Sequence, residues 1–158
     1  MPELYFALYA PSSVHKLLDF VKAAYAVDGV VPVIIRPIGA AAQVGVPEAY
    51  RVSYKLGKPL IILPEISDLL HLLNCDHVYY ISEDGEPLDF SLLIRQSKCN
   101  RIALVISSGE QEPSRKELEG AKIVWPSNVP RGMPSVALAG IVVYEIAKLG
   151  TEGCKVSI

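Results

Sequence analysis

Long apolar runs are missing from this chain. None reaches the roughly 18 residues needed to span a bilayer, and the longest candidate, Val136 to Val143, is far too short. The chain begins Met-Pro-Glu-Leu-Tyr, without a basic region ahead of an apolar stretch and a small-residue cleavage site, so no signal peptide is read there and the cytoplasm is the expected location. A basic excess is missing too. The formal net charge is -2 and the pI about 5.9, so the chain does not advertise a nucleic-acid partner by its overall charge, although a local basic face stays open. Cysteine is scarce: Cys75, Cys99 and Cys154 are scattered, with no CxxC and no paired histidine spacing. That argues against a disulfide framework or a zinc site, and buried or free thiols are expected. Cys75 and His77 are close in sequence, but two candidate ligands do not make a metal site, and none is expected. Neither GxGxxG nor GxxxxGK[ST] follows the first strand, which removes the common dinucleotide and P-loop readings.

What is present is apolar. Of 158 residues, 51% are hydrophobic and 20% charged, and mean hydropathy is +0.31. Such a balance requires a densely buried sheet or an apolar face covered by a second subunit. The length suits one domain over 1–158, with no internal repeat and no linker long enough to divide it.

Leu4 to Tyr9 reads as a buried strand ended by Pro11. Ser12 or Ser13 offers a cap to a helix whose Val14, Leu17, Leu18, Val21, Ala24 and Tyr25 share one face. Asp28-Gly29 turns the chain into a strand, Val30 to Ile35, in which Pro32 marks a start or an irregular edge. Helical signals fill Gly39 to Gly57, with Pro47 and Glu48 in the first turn and Gly57 as the stop. Leu60 to Leu63 is a third strand. Pro64 and Glu65 then open a helix with Ile66, Leu69, Leu70 and Leu73 inward. Val78 to Ile81 is a fourth strand, closed by a turn from Glu83 to Pro87. Residues 88–100 are open between a short helix and irregular chain. Arg101 to Ile106 and Lys122 to Trp125 are strands, and a last helix runs from Ser135 to Lys148. Apolar strands alternating with helices predict an α/β fold, a mostly parallel sheet with helices on both faces.

Ligands of such sheets bind outside the carboxyl ends of the strands. Three segments there stand apart. Ser107 to Ser114 follows a buried strand; Gly109 permits close backbone approach to a ligand, and Glu110 could orient a ligand amine, a ribose or an RNA-binding arginine. Trp125 to Pro134 carries three prolines and a glycine in ten residues, and a restrained loop of this kind can wall an adenine. The helix from Ser135 is apolar all round and is therefore expected to be buried on all sides. Blander readings stand beside these: a solvated loop, a core tryptophan, and a surface charge at Arg131.

A buried strand, a Gly-Glu loop, a strand ending in aromatic-Pro, a Pro/Gly loop and a small-residue helix ending Val-Val-Tyr-Glu together resemble the SPOUT RNA methyltransferases, SpoU branch. The parts correspond to Ser107 to Pro113, Trp125-Pro126, and Pro134 to Glu145. The chain also looks like a small archaeal family of stand-alone SpoU-like proteins, some labelled RecB-family nucleases. The resemblance implies a C-terminal trefoil knot, a homodimer through the last helix, and methyl transfer from S-adenosylmethionine to tRNA or rRNA, often at a ribose 2′-hydroxyl. It implies cofactor contacts at Leu63, Pro64, Ser107, Ser108, Gly109, Glu110, Trp125, Pro126, Pro134, Ser135, Val136 and Ala139. The branch carries an Asn and a catalytic Arg near the start of its first helix. Here that place reads Pro11-Ser12-Ser13-Val14-His15-Lys16, so His15, Lys16 or Arg36 would have to serve. RNA contacts fall to Arg95, Lys98, Arg101 and Arg131, since phosphates demand cations.

Two other functions compete. A non-catalytic SPOUT-like protein that holds RNA or a protein partner fits the missing arginine and the acidic pI. A RecB-type nuclease needs converging carboxylates, commonly an Asp and a Glu-x-Lys on a strand, and no strand bears that pair.

Overall fold

The computed structural model describes residues 4–149; Cys154 and the first three residues fall outside that range. Its order is β1 (Leu4–Tyr9), α1 (Val14–Tyr25), β2 (Val30–Ile35), a π-helical turn (Ala41–Gly45), α2 (Val46–Leu56), β3 (Ile61–Leu63), α3 (Asp68–His71), β4 (His77–Leu88), α4 (Phe90–Gln96), β5 (Ile102–Ser107), β6 (Ala121–Pro126) and α5 (Ser135–Leu149). The six strands form one sheet in the order β3-β2-β1-β5-β4-β6, and every pairing is parallel. This is the α/β architecture the sequence predicts.

β1 and β5 form the centre, in register from Leu4↔Ile102 to Tyr9↔Ser107. Alternate residues of these strands supply two separate cores. Leu4, Phe6, Leu8, Ile102, Leu104 and Ile106 pack with residues of α1, α2, α4 and α5. Tyr5, Ala7, Tyr9, Ala103 and Val105 meet Ile66 and Leu69, with Leu118 packed against them. One face thus lies under four helices, the other under the short α3 and the chain after β5. Phe6 and Phe20 bridge strand and helix with ring centroids 4.8 Å apart, a tilted pair adding about 0.5–1.5 kcal/mol to its burial. α1 starts where Ser13 accepts the Lys16 backbone N–H, and α2 ends at Gly57 in the left-handed region, φ 63°.

Several expectations are corrected. Pro32 lies within β2, an interior strand, but pairing with β3 begins only at Val33, so the missing N–H falls where the second neighbour has not begun. The helix from Pro64 shrinks to the four residues of α3, because Asp68 turns back to accept the Glu65 N–H. Glu83 to Pro87 is not a terminal turn. β4 continues through it to Leu88, and its pairing with β6 resumes at Glu86↔Val124 after a bulge. Gly85 allows this, since a Cβ there would lie 2.4 Å from the Val124 backbone. Cys99 is disulfide-bonded, against the expectation of free thiols, whereas Cys75 is free and buried. α5 is not covered on all sides of this chain: Leu138, Ala139, Val142 and Ile146 are buried, while Val136 and Tyr144 are exposed. Among the described residues no helix is long and apolar enough to cross a membrane.

Candidate functional site

The carboxyl end of β5, the middle of β4 and the edge strand β6 surround a cavity of about 970 Å³. Four pieces of chain wall it. β4 contributes Tyr80 to Asp84 and Glu86; the end of β5 and the segment after it contribute Ser107, Gly109, Glu112, Pro113 and Leu118; β6 contributes Ala121, Lys122, Ile123 and Trp125; and the start of α5 with its approach contributes Met133, Pro134 and Leu138. Trp125 is buried, and its indole N–H donates to the Val129 carbonyl at 2.9 Å, which fixes the ring against the restrained loop that follows.

The chain after β5 is held from both sides. The Ser107 hydroxyl donates to Glu112 at 2.9 Å and Tyr80 donates to the same carboxylate at 2.5 Å. Burial, then this bond to Glu112, pushes the Tyr80 phenol far above its ordinary value, so it is a neutral donor at any working pH. Ser108 is fully buried and its hydroxyl donates to the Ala10 carbonyl at 2.9 Å. Gly109 takes φ 83°. Glu110 then turns to the start of α1, accepting from the Ser12 backbone N–H at 2.9 Å, from the Ser12 hydroxyl, and from Lys16 Nζ at 3.3 Å. The Ser12 hydroxyl above all, with the Ser12 N–H and Lys16 beside it, lowers the Glu110 carboxyl below the usual carboxylate range. Lys16 Nζ also donates to the Ser108 carbonyl at 3.2 Å.

Further along the same segment, Glu117 takes part in a reciprocal pair with Ser114: it accepts the Ser114 N–H at 2.8 Å while its own N–H donates to the Ser114 hydroxyl at 3.2 Å. It also accepts from Tyr9 at 3.0 Å and from Arg36 Nη1 at 2.7 Å. Partial burial pushes its carboxyl up, but the Ser114 N–H, Tyr9 and Arg36 outweigh it and hold the group low.

Of the sequence-predicted cofactor residues, Ser107, Gly109, Trp125 and Pro134 meet in the cavity. Ser108 and Glu110 instead tie the loop to the start of α1. Pro126 ends β6 opposite Leu88, Ala139 lies on the buried side of α5, and Val136 is exposed; none of the three is in the cavity wall. The side chain of Ser135 lies outside the described set. Leu63 ends β3, an edge strand on the other side of β1 and β2 from the cavity, and Pro64 follows it; the Leu63 carbonyl accepts the Arg36 N–H at 2.9 Å. Between the catalytic candidates, Lys16 faces the Glu110 loop, whereas the side chain of His15 is exposed and Arg36 lies one strand beyond. Among the RNA candidates, Arg95, Lys98 and Arg101 stand on α4 and just before β5, toward the amino ends of the strands and away from the cavity. Arg101 is moreover tied to the Leu73 carbonyl at 2.9 Å. Arg131 alone approaches the cavity rim, 3.5 Å from the Gly85 carbonyl.

Sequence reasoning missed Tyr80, Ser82, Glu83, Asp84, Glu86, Glu112, Lys122, Ile123, Met133 and Leu138. The signal in the sequence is the clustering of acids after Ile81, whose composition also suits a turn. Among the described residues no three His, Cys, Asp or Glu side chains group to hold a metal.

A family model described as RecB-family nuclease (DUF2122) matches residues 39–145. A protein of Aeropyrum pernix bearing the name "Putative type II restriction enzyme ApeKORF2002P" is 32% identical over 146 residues, covering 92% of this chain and 94% of its own. Among solved structures, the SpoU methyltransferase AviRb from Streptomyces viridochromogenes in complex with AdoMet is similar with a TM-score of 0.68 at 12% identity, over 94% of this chain and 60% of that one. TrmJ from Z. mobilis is similar with a TM-score of 0.64 at 14% identity, over 96% and 71%. This chain spans only part of those longer proteins, and at such identities the likeness shows the fold: a SpoU-type α/β sheet.

Proposed function

The chain belongs to the family described as RecB-family nuclease (DUF2122), and from its SpoU-type fold we propose that it is an S-adenosylmethionine-dependent RNA methyltransferase. The observation that carries this reading is the cavity lined by β4, β6 and the chain that leaves the carboxyl end of β5. Its volume falls within the range of about 300–1,000 Å³ usual for small-molecule sites. Its residues fit the cofactor chemically. Trp125, Ile123, Met133 and Leu138 offer apolar walls to an adenine, and Glu83, Asp84, Glu86 and Glu112 offer negative charge to a sulfonium and an amine. Gly109 leaves its backbone free for close approach.

When bound, the cofactor supplies a methyl group on positively charged sulfur. The chain's own contribution is assigned to Lys16, whose Nζ is steered by Glu110 and the Ser108 carbonyl. A ribose 2′-hydroxyl is the acceptor that most needs a neighbouring cation to become nucleophilic, and Lys16 belongs to the stretch Pro11 to Lys16 that resembles the place where the SpoU branch carries its arginine. The reading includes a single domain over 1–158, a threaded C-terminal segment, tRNA or rRNA as substrate, and a homodimer through α5. The exposed Val136 and Tyr144, at helical spacing on that helix, support the last of these.

The arginine missing from Pro11 to Lys16 favours a second reading, a non-catalytic RNA- or protein-binding relative. Calorimetric titration with S-adenosylmethionine and S-adenosylhomocysteine separates the two. Saturable binding near one site per subunit, followed by labelled methyl transfer to bulk tRNA or rRNA, supports the enzyme; no binding of either compound refutes it.

A further inference from the structure

A second polar site lies beside the cavity, at the carboxyl ends of β1 and β2. Arg36 Nη1 donates to the Tyr9 hydroxyl at 3.1 Å and to Glu117 at 2.7 Å. Both bonds use a single nitrogen. Nε and Nη2 make no hydrogen bond among the described residues, and the side chain is 38% exposed, so one edge of the guanidinium fork is braced and the other faces outward.

The backbone beneath it is equally specific. Arg36 and Ala10 sit in the left-handed region at φ 49° and 51°, uncommon for residues with a Cβ and concentrated where structure serves function. The two turns are laced together: the Ala10 N–H donates to the Ile35 carbonyl at 2.7 Å and the Ile38 N–H to the Pro11 carbonyl at 3.0 Å. A long side chain is thereby presented from a stiff base, at the end of the sheet where ligands bind. Tyr9, its brace, lies opposite Ser107 in the β1–β5 register, and Ser107 lines the cavity. Arg36 is therefore about two strand spacings, roughly 10 Å, from the cavity wall. A lone surface arginine would be a solubility residue; one fixed by a phenol, a carboxylate and a strained turn is built.

We propose that Arg36, braced by Tyr9 and Glu117, anchors a backbone phosphate of the RNA next to the nucleotide that is methylated. A planar fork with a free edge matches a phosphate in bidentate fashion. Glu117 serves as its resting counter-ion, in the same segment that walls the cofactor cavity. The inference rests on the methyltransferase reading, and it locates the RNA across β1 and β2 rather than at the basic residues around α4.

The test is titration with labelled bulk tRNA at several salt concentrations, using wild type, Arg36→Ala and Glu117→Gln, with S-adenosylhomocysteine calorimetry on each. For Arg36→Ala the expected result is a loss of roughly tenfold or more in tRNA affinity and a salt slope smaller by about 1, with cofactor affinity unchanged. Glu117→Gln removes the competing carboxylate while keeping the brace's shape, and tRNA affinity should be retained or raised. Were the pair merely structural, both variants would lower the melting temperature alike and neither would move the salt slope. That result overturns the proposal, as does wild-type protein that binds no tRNA, or an Arg36-dependent affinity for duplex DNA in place of tRNA. Cofactor binding in the same samples shows independently whether the methyltransferase reading survives.

Discussion

Gly85 and Gly109 both border the cavity region, but they are glycine for different reasons, and exchanging each for alanine separates those reasons. Gly85 is buried in β4 where it crosses β6, and an added Cβ would stand 2.4 Å from one Val124 backbone atom and 2.6 Å from two others. Backbone cannot swing aside as a side chain can. The strands would have to part by about 1 Å to reach the 3.4 Å at which ordinary contact begins. Overpacking of this kind costs about 1–3 kcal/mol, and a rigid obstacle puts Gly85→Ala at the upper end. For a chain of this size that is a fall of about 6–12 °C in melting temperature. Gly109, at φ 83°, has nothing within 4 Å of an added Cβ; Gly109→Ala meets only backbone strain, about 1–2 kcal/mol. A larger residue, Gly109→Trp, would enter the cavity and abolish cofactor binding while the fold melts much as Gly109→Ala does. Thermal denaturation followed by circular dichroism, with S-adenosylhomocysteine calorimetry on each variant, reads all three effects. Gly85→Ala melting within about 2 °C of wild type would refute the steric account of the β4–β6 crossing. Unchanged cofactor affinity in Gly109→Trp would remove Gly109 from the site.

Lys16→Ala should abolish methyl transfer while leaving S-adenosylhomocysteine affinity within about twofold, a shift too small to signal a lost hydrogen bond; activity near wild type would exclude Lys16 from the chemistry. The Glu110 carboxyl is held below its ordinary 4.5, so its contribution is complete above that pH and is lost as pH falls through its lower folded value. Melting temperature should therefore drop more steeply below pH 4.5 in wild type than in Glu110→Gln, and parallel acid profiles would show that the loop's tie to α1 carries no stability. Burial raises the Cys75 thiol to about 11, so at pH 8 a thiol reagent should titrate Cys75 only after denaturant is added; prompt reaction in the native protein would contradict its burial.

The central strands were legible because β1, β2 and β5 are uninterrupted apolar runs, and only a strand covered on both faces has that composition. α1 was legible from Ser13 and the spacing of Leu17, Val21 and Ala24. The outer half of β4 was not. Glu83-Asp84-Gly85-Glu86-Pro87 has the composition of a turn, and what keeps it extended is β6, whose pairing no local pattern displays. In the site, Ser107, Gly109, Trp125 and Pro134 could be read from loops that follow strands. The roles of Glu110 and Glu117 could not, because their partners Ser12 and Arg36 lie 98 and 81 residues away. That Arg95, Lys98 and Arg101 stand away from the cavity was hidden for a related reason: sequence spacing shows that cations cluster but not which end of a sheet receives them. Cys99 likewise gave no local sign of its bond.

The order β3-β2-β1-β5-β4-β6 bears on how the chain comes to be folded. Its central seam joins residues 4–9 to residues 102–107, so the strands made first wait for β5 before their middle can close. Until then β1, with Leu4, Phe6 and Leu8, presents an unpaired apolar edge, the kind of template on which chains associate wrongly. β4 waits as well, since both of its neighbours are made after it. Pairing across such separations delays the reward for closing large loops, and this topology places the protein among slow folders of its size. During synthesis at about 5–20 residues per second, that seam stays open for several seconds after β1 emerges, which makes those seconds the most vulnerable interval in the life of the molecule.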